Sequence, residues 1–179
     1  MSFRVKQPRS ALPVLPLEYR PHLAEASDKK HVRHYLLPGK VFASAEPVAV
    51  TAIVGSSVAL CIWDLVRGVG GAAQFLMPEN PQDDFADTKY GDAACDKLLK
   101  LLFDLGANPH CLEAKVFGGL QPAVTFGNPA DCLGNRNVEA AMRFLASKEI
   151  RIAAREIGGR SGRKVIFHTD DGRTWSEVL

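Results

Sequence analysis

Four cysteines are the side chains of this 179-residue chain best able to act as nucleophiles, metal ligands or disulfide partners: Cys61, Cys95, Cys111 and Cys132. None of them forms a C-x-x-C pair or stands near paired histidines, so their spacing argues against a zinc site. Their even number is compatible with a disulfide framework, which a domain of this size does not need. Because the sequence shows no secretory signal, we expect reduced thiols and a cytoplasmic protein.

A second candidate group is the histidine pair His31 and His34, in the segment HVRHYLLPG. Two histidines three residues apart would share one face of a helix and could bind a metal ion together. No third ligand is evident in the neighbouring sequence, so we favour a solvated segment that leads into the Pro38-Gly39 turn. We therefore expect neither a metal site nor a cofactor.

Any functional side chain must be positioned by the strands and helices that the hydrophobic pattern predicts. Short apolar runs predict strands, with a hairpin turn at Asp171-Gly172, in the segments 47–55, 58–64, 112–119, 151–159, 163–172 and 173–179. Apolar residues on one face predict a helix from about Asp92 to Leu105 and another from about Asn135 to Ser147. Since the strands come in groups, we predict an α/β or α+β layered fold with mixed β-sheets.

The chain divides into two parts by composition. The first 30 residues are rich in proline and charge and show no sustained period, so we interpret residues 1–47 as a partly irregular N-terminal extension. Residues 48–179 carry the strand and helix patterns and form the predicted domain. The polar segment 79–92 is expected to be a surface loop, and the glycines at 68–71 are expected to loosen the stretch before it.

The overall composition excludes two classes of partner. Apolar residues make up 46% of the chain and charged residues 23%, as in ordinary soluble domains. A formal net charge of +2 is too small to indicate binding to nucleic acid. No apolar stretch approaches the roughly 20 residues of a membrane span. We therefore expect no nucleic-acid partner and no membrane insertion.

Six segments carry a resemblance to a known family. They are TAIVGSSVALCIWD (51–64), GGAAQFLMP (70–78), KYGD (89–92), LEAKVFGG (112–119), GNRNVEAAMRFL (134–145) and EIGGRSGRKVIFHTDDGR (156–173). In this order they resemble the CheD family of chemoreceptor glutamine deamidases. No single segment is specific, but all six together in sequence are.

The resemblance implies a fold, an activity and partners. The implied fold has mixed β-sheets in a sandwich-like core flanked by helices, as in papain-like deamidases. The implied activity is hydrolysis of chosen glutamine side chains to glutamate on methyl-accepting chemotaxis receptors, with release of ammonia. The implied partners are these receptors and a CheC-type phosphatase of the response regulator.

The resemblance also implies three catalytic positions, two of which depart from the family pattern. The family's nucleophilic cysteine is matched by Ser57, its histidine base by Gln74, and the threonine that orients the histidine by Thr51. A serine hydroxyl is far less acidic than a thiol, and glutamine has no group that titrates near neutral pH. We therefore predict a catalytically impaired copy.

Three other side chains could replace the missing groups. Cys61 would face the same side of an extended strand as Ser57 but lie roughly 13 Å further along it, so we favour a buried core cysteine. His110 or His168 would serve as a base only if the fold carried one of them to the site.

Three functional hypotheses follow. The first is a non-catalytic CheD-like protein that acts by binding a receptor or a CheC-type phosphatase. The second is an active protein-glutamine glutaminase that uses Ser57 or a relocated base. The third is a non-enzymatic binding module unrelated to chemotaxis.

Overall fold

The computed structural model describes residues 31–81, 87–121 and 131–179. Within these ranges the chain forms nine strands, two α-helices and a short 3-10 helix: β1 (Val32–Leu36), β2 (Lys40–Ser44), β3 (Val48–Val54), β4 (Val58–Asp64), β5 (Val69–Phe75), α1 (Gly91–Asp104), the 3-10 helix (Pro109–Cys111), β6 (Leu112–Gly118), α2 (Leu133–Ser147), β7 (Arg151–Ile157), β8 (Arg163–His168) and β9 (Thr174–Val178).

The strands form two mixed sheets. Sheet A has the order β1-β3-β8-β9, and sheet B has the order β2-β5-β4-β6-β7. The pairs β1–β3 and β6–β7 are parallel, whereas the other neighbours are antiparallel. This arrangement, with two helices, confirms the predicted layered α+β fold.

Strand β4 explains how the layers are held together. Its residues alternate between the two faces of sheet B, and all seven are buried. Leu60 and Ile62 join a hydrophobic cluster with both helices, while Cys61 and Trp63 join a second cluster with the strands of sheet A. Sheet B is therefore covered on both faces, which accounts for the unbroken apolar run in the sequence.

Both helices lie where the sequence pattern predicts them. The apolar stripe of α1 buries Ala94, Leu98 and Leu102, and that of α2 buries Ala141 and Leu145. The observed starts are one or two residues earlier than predicted, because a side-chain period locates the middle of a helix better than its first turn.

The segment before residue 48 contributes more to the sheets than its composition indicates. Strand β1 pairs with β3, and β2 pairs with β5. His31 is buried, contrary to the expected solvated segment. The strand that follows is largely exposed, as expected, but His34 is half-buried and its ring stacks on Phe42. Residues three apart in extended backbone point to opposite faces, which removes the geometry of a shared metal site. The expected tail at 1–30 lies outside the described residues.

Of the glycines expected to loosen the chain before Gln74, Gly68 lies in the β4–β5 turn with a φ of 65°, whereas Gly70 and Gly71 belong to β5. A Cβ atom on Gly70 would lie 2.2 Å from the Thr169 carbonyl oxygen, and one on Gly71 would lie 2.6 Å from that of Phe42. Close backbone approach therefore explains both residues. Of the predicted surface loop at 79–92, residues 82–86 lie outside the described ranges, and α1 begins at Gly91.

Candidate functional site

The turn between β3 and β4 holds Ser57 against the end of β6. The Gly119 N–H donates to the Ser57 carbonyl at 3.0 Å, and the Leu120 N–H donates to that of Gly55 at 2.8 Å. Gly118 has a φ of 107°, and a Cβ atom there would lie 2.2 Å from the Ser57 carbonyl oxygen. Only glycine accommodates both conditions, so the Gly118-Gly119 pair positions the turn.

Gln74 lies beside Ser57, on the face of β5 that points towards sheet A. Its side chain is fully buried, and its Nε2 donates to the Ile53 carbonyl at 2.7 Å and to Ser57 Oγ at 3.2 Å. The structure thus brings together the two candidate positions that depart from the family pattern.

The orientation of the Gln74 amide follows from its partners. A backbone carbonyl can only accept a hydrogen bond, so the NH₂ group of Gln74 must face Ile53. The same NH₂ group then donates to Ser57 Oγ. Gln74 Oε1 is buried and has no hydrogen-bond partner among the described residues. Gln74 therefore presents Ser57 with a donor, whereas a general base would present an acceptor.

Thr51 lies in the middle of β3, between Tyr35 of β1 and Ile166 of β8. Its neighbours Val50 and Ala52 belong to the cluster between the sheets, so strand alternation places Thr51 on the outer face of sheet A. Within residues 31–81, 87–121 and 131–179, no hydrogen bond joins Thr51 to Ser57 or Gln74.

Asn137 is a site residue that sequence analysis missed. It is fully buried in α2, and its Nδ2 donates to the carbonyls of Ser56 and Leu76, at 2.9 Å each. The helix thereby holds the turn before Ser57 and the chain that follows β5. The available signal was the position of this polar residue on the buried stripe of α2, with Gly134 and Ala141.

The three alternative catalytic side chains lie away from Ser57. Cys61 is buried between the sheets, and this burial raises the pKa of its thiol to about 12 despite the nearby charge of Lys115. His110 precedes the end of β6 that pairs with Asp64, at the far end of β4 from Ser57. His168 pairs with Ala49, at the far end of β3. Seven-residue strands separate each histidine from the site by roughly 20 Å.

Comparison with a family model gives a match over residues 76–178, to the family described as CheD chemotactic sensory transduction. The matched range covers more than half of the chain. It begins two residues after Gln74, so Thr51, Ser57 and Gln74 all precede it.

Comparison with curated proteins gives relatives whose alignments cover most of both chains. A probable chemoreceptor glutamine deamidase CheD 1 of Anaeromyxobacter dehalogenans is 38% identical over 145 residues, 81% of this chain and 84% of that one. A probable chemoreceptor glutamine deamidase CheD of Trichlorobacter lovleyi is 39% identical over 141 residues, 78% and 86% of the two chains. A third, of Rhodospirillum rubrum, is 35% identical over 139 residues, 78% of each chain.

The helices of the described ranges are short and amphipathic. Among them, none has the length and hydropathy that crossing a membrane requires.

Proposed function

The chain belongs to the CheD family of chemotaxis proteins, and from that premise we propose that it acts in chemotaxis by binding, with little or no glutamine deamidation. The observation that carries the proposal is the hydrogen bond from Gln74 Nε2 to Ser57 Oγ, at 3.2 Å. The donor in this bond stands where hydrolysis of an amide would need a proton acceptor.

The chemistry of the two side chains gives the size of the expected loss. Attack by a hydroxyl requires a base within hydrogen-bonding reach, and Gln74 supplies none. By analogy with serine-protease triads, removal of members that act as a unit lowers turnover by about 10⁴- to 10⁶-fold. Cys61 does not compensate, because its buried thiol stays protonated at neutral pH.

The frame around the degenerate positions supports a retained binding role. Gly118-Gly119 and Asn137 still hold the Ser57 turn through backbone and side-chain hydrogen bonds. We propose that the surface built on this frame binds the cytoplasmic part of a methyl-accepting chemotaxis receptor, or a CheC-type phosphatase. We further propose a cytoplasmic location, which fits the four free cysteines of the chain.

The test is restoration of the missing pair. The chain and its Ser57→Cys/Gln74→His variant are incubated with receptor cytoplasmic fragments, and glutamine-to-glutamate conversion is followed by mass spectrometry together with ammonia release. We expect no turnover from the unmodified chain. The double variant should exceed it by at least about 100-fold, the lower end of what a positioned general base contributes.

The single variants and Ser57→Ala are the matched controls. Turnover by the unmodified chain that disappears in Ser57→Ala would contradict the proposal and support an active serine enzyme. A double variant that folds but stays inactive would indicate a site that no longer admits a receptor glutamine. Failure of the unmodified chain to retain receptor fragments or a CheC-type phosphatase in pull-downs would favour a binding module unrelated to chemotaxis.

A further inference from the structure

Three side chains that are distant in sequence meet at one end of sheet A, away from Ser57. His31 immediately precedes β1, His168 is the last residue of β8, and Asp170 lies in the turn between β8 and β9. One potential metal-ligating atom from each lies within 4.8 Å of the other two. His31 Nε2 and Asp170 Oδ1 are 2.9 Å apart. We refer to these three residues as the His-His-Asp cluster.

The two imidazole rings of the cluster are packed together inside the protein. Their centroids are 3.9 Å apart with an interplanar angle of 25°, and the edge of Trp175 packs against His168. His31 is 8% exposed and His168 is fully buried. This contact brings a ring nitrogen of each histidine near the Asp170 carboxylate.

The His31 ring contacts Asp170 through Nε2, which leaves Nδ1 as its second nitrogen. His31 Nδ1 is buried and makes no hydrogen bond to any residue that the structure describes. An imidazole binds one ion through one nitrogen, so Nε2, which already lies beside Asp170 Oδ1, is the ligand atom that His31 offers.

We propose that the His-His-Asp cluster binds a divalent transition-metal ion, with zinc as the ion that its ligands suit best. Two imidazole nitrogens and a carboxylate oxygen form a three-ligand zinc set, which leaves a fourth position for water. Donor atoms in tetrahedral zinc sites lie about 3.4 Å apart, given bonds of about 2.0–2.1 Å. The separation of 2.9 Å between His31 and Asp170 is close to this value. A third donor at the 4.8 Å limit would have to move inward by roughly 1.4 Å, and the two stacked rings would have to tilt so that both nitrogens face the ion.

The surroundings of the cluster allow an ion to reach it. The Asp170 side chain is 30% exposed, so the ion has a route to the ligands and a place for its water. A bound ion would connect the backbone before β1 to the β8–β9 turn, which lie on opposite sides of β3 in sheet A. The ion would then be structural, and its binding to the folded chain alone would stabilise that chain against unfolding.

Zinc titration of the full chain tests this site. Isothermal titration calorimetry of the unmodified chain should give one ion per chain, and zinc should raise the thermal unfolding midpoint. Asp170→Asn preserves shape and should weaken binding by more than about tenfold. Asp171→Asn is the matched control, since it removes the same charge one residue away. His31→Gln should behave like Asp170→Asn, and His34→Gln like the unmodified chain.

Cobalt(II) distinguishes this cluster from the cysteines as the source of binding. Loading at the cluster should give the visible absorption of a tetrahedral nitrogen and oxygen site, without a thiolate charge-transfer band. The proposal is overturned if zinc does not bind at micromolar concentrations, if Asp170→Asn binds as tightly as Asp171→Asn, or if the cobalt spectrum is that of a thiolate site.

Discussion

Gln74 occupies the position at which the family resemblance implies a histidine base, and it is accommodated there by hydrogen bonds. A buried polar side chain must make hydrogen bonds to offset its desolvation, and Gln74 does so through Ile53 and Ser57. The Gln74 amide thereby satisfies the backbone carbonyl of Ile53, in β3 of the other sheet. Its NH₂ group is thus paired, whereas its Oε1 has no hydrogen-bond partner among the described residues.

The ionised carboxylate of Asp64 stabilises the fold through hydrogen bonds with the backbone. Its fully buried carboxylate accepts backbone N–H groups from Val66, Arg67 and Asn108. Burial alone would raise the pKa of Asp64, but these hydrogen bonds and the charge of Arg67 lower it overall. Because the pKa is lower in the folded state, this stabilisation is present above the unfolded value of about 3.9 and is lost as the pH falls through the folded pKa.

We predict that Asp64→Asn lowers the free energy of unfolding by about 1–3 kcal/mol at pH 7. The amide has one acceptor oxygen and would turn its NH₂ group towards a backbone N–H. The difference from the unmodified chain should shrink as the pH falls below about 4, because Asp64 then becomes protonated in the unfolded chain and, below its lowered pKa, in the folded chain. Urea unfolding at several pH values measures both effects. An equal difference at about pH 3 and pH 7 would contradict the role of the charge, and Asp104→Asn on the exposed end of α1 is the control.

At the scale of secondary-structure elements, the site depends on backbone contact between the β3–β4 turn and the end of β6. A side chain placed at position 118 would be strained for two reasons: the positive φ of Gly118 and the closeness of the Ser57 carbonyl oxygen. Gly106, which follows α1, has a similar φ of 92°, but an added methyl group there would meet no atom within 4 Å. Substitutions at Gly106 and Gly118 can therefore be compared: both meet an unfavourable φ, but only the one at Gly118 also meets a close backbone atom.

We predict that Gly106→Ala lowers the free energy of unfolding by about 1 kcal/mol, the cost of a left-handed backbone. Gly118→Ala should lower it by at least about 2 kcal/mol more, because a methyl group there displaces the Ser57 turn. Urea unfolding of the two variants measures the difference. Equal losses in the free energy of unfolding would indicate that the Ser57 turn can shift to accommodate the methyl group at little cost.

Predictability from sequence differs among these elements for physical reasons. The stripes of α1 and α2 and the buried runs of β3, β4 and β6 are local patterns, and the structure has all five where the patterns predict them. Strands β1 and β2 are short and contain His34, Lys40 and other polar residues, so their pairing partners, rather than their own composition, determine their conformation.

For the site too, the sequence predicts candidate residues but not the contacts that they make. Ser57 and Gln74 could be paired through the family resemblance, and the structure joins them by a hydrogen bond. The direction of that bond depends on the Ile53 carbonyl, and the contact of Asn137 with Ser56 depends on how α2 packs. The meeting of His31 with Asp170 requires the complete sheet A. The stripe of α2 marks Asn137 as buried, but the partner in each of these contacts has no signal within one segment of sequence.

At the scale of the whole molecule, the two sheets draw strands from both ends of the described chain. We propose that the CheD-like domain includes β1 and β2 in addition to residues 48–179. Without β1, the backbone edge of β3 would be open, and the cluster between the sheets would lose the buried side chain of Leu36. Without β2, β5 would become an edge strand.

We therefore predict that a chain consisting of residues 48–179 loses cooperative thermal unfolding and associates in solution. Near-ultraviolet circular dichroism and size-exclusion chromatography, each compared with the full chain, measure these outcomes. A shortened chain that stays monomeric, with an unfolding midpoint within a few degrees of that of the full chain, would place β1 and β2 outside the cooperative unit.

The pairing of β3 with β8 also affects the order in which the protein can fold during synthesis. Ala49 pairs with His168, so most of the chain is translated after β3 and before its antiparallel partner. At about 5–20 residues per second, this apolar strand waits on the order of ten seconds. Sheet B, whose β4 and β5 are joined by a short turn, can assemble with α1 in that interval. The nascent chain is therefore most exposed to aggregation along β3, until the ribosome has delivered the last two strands.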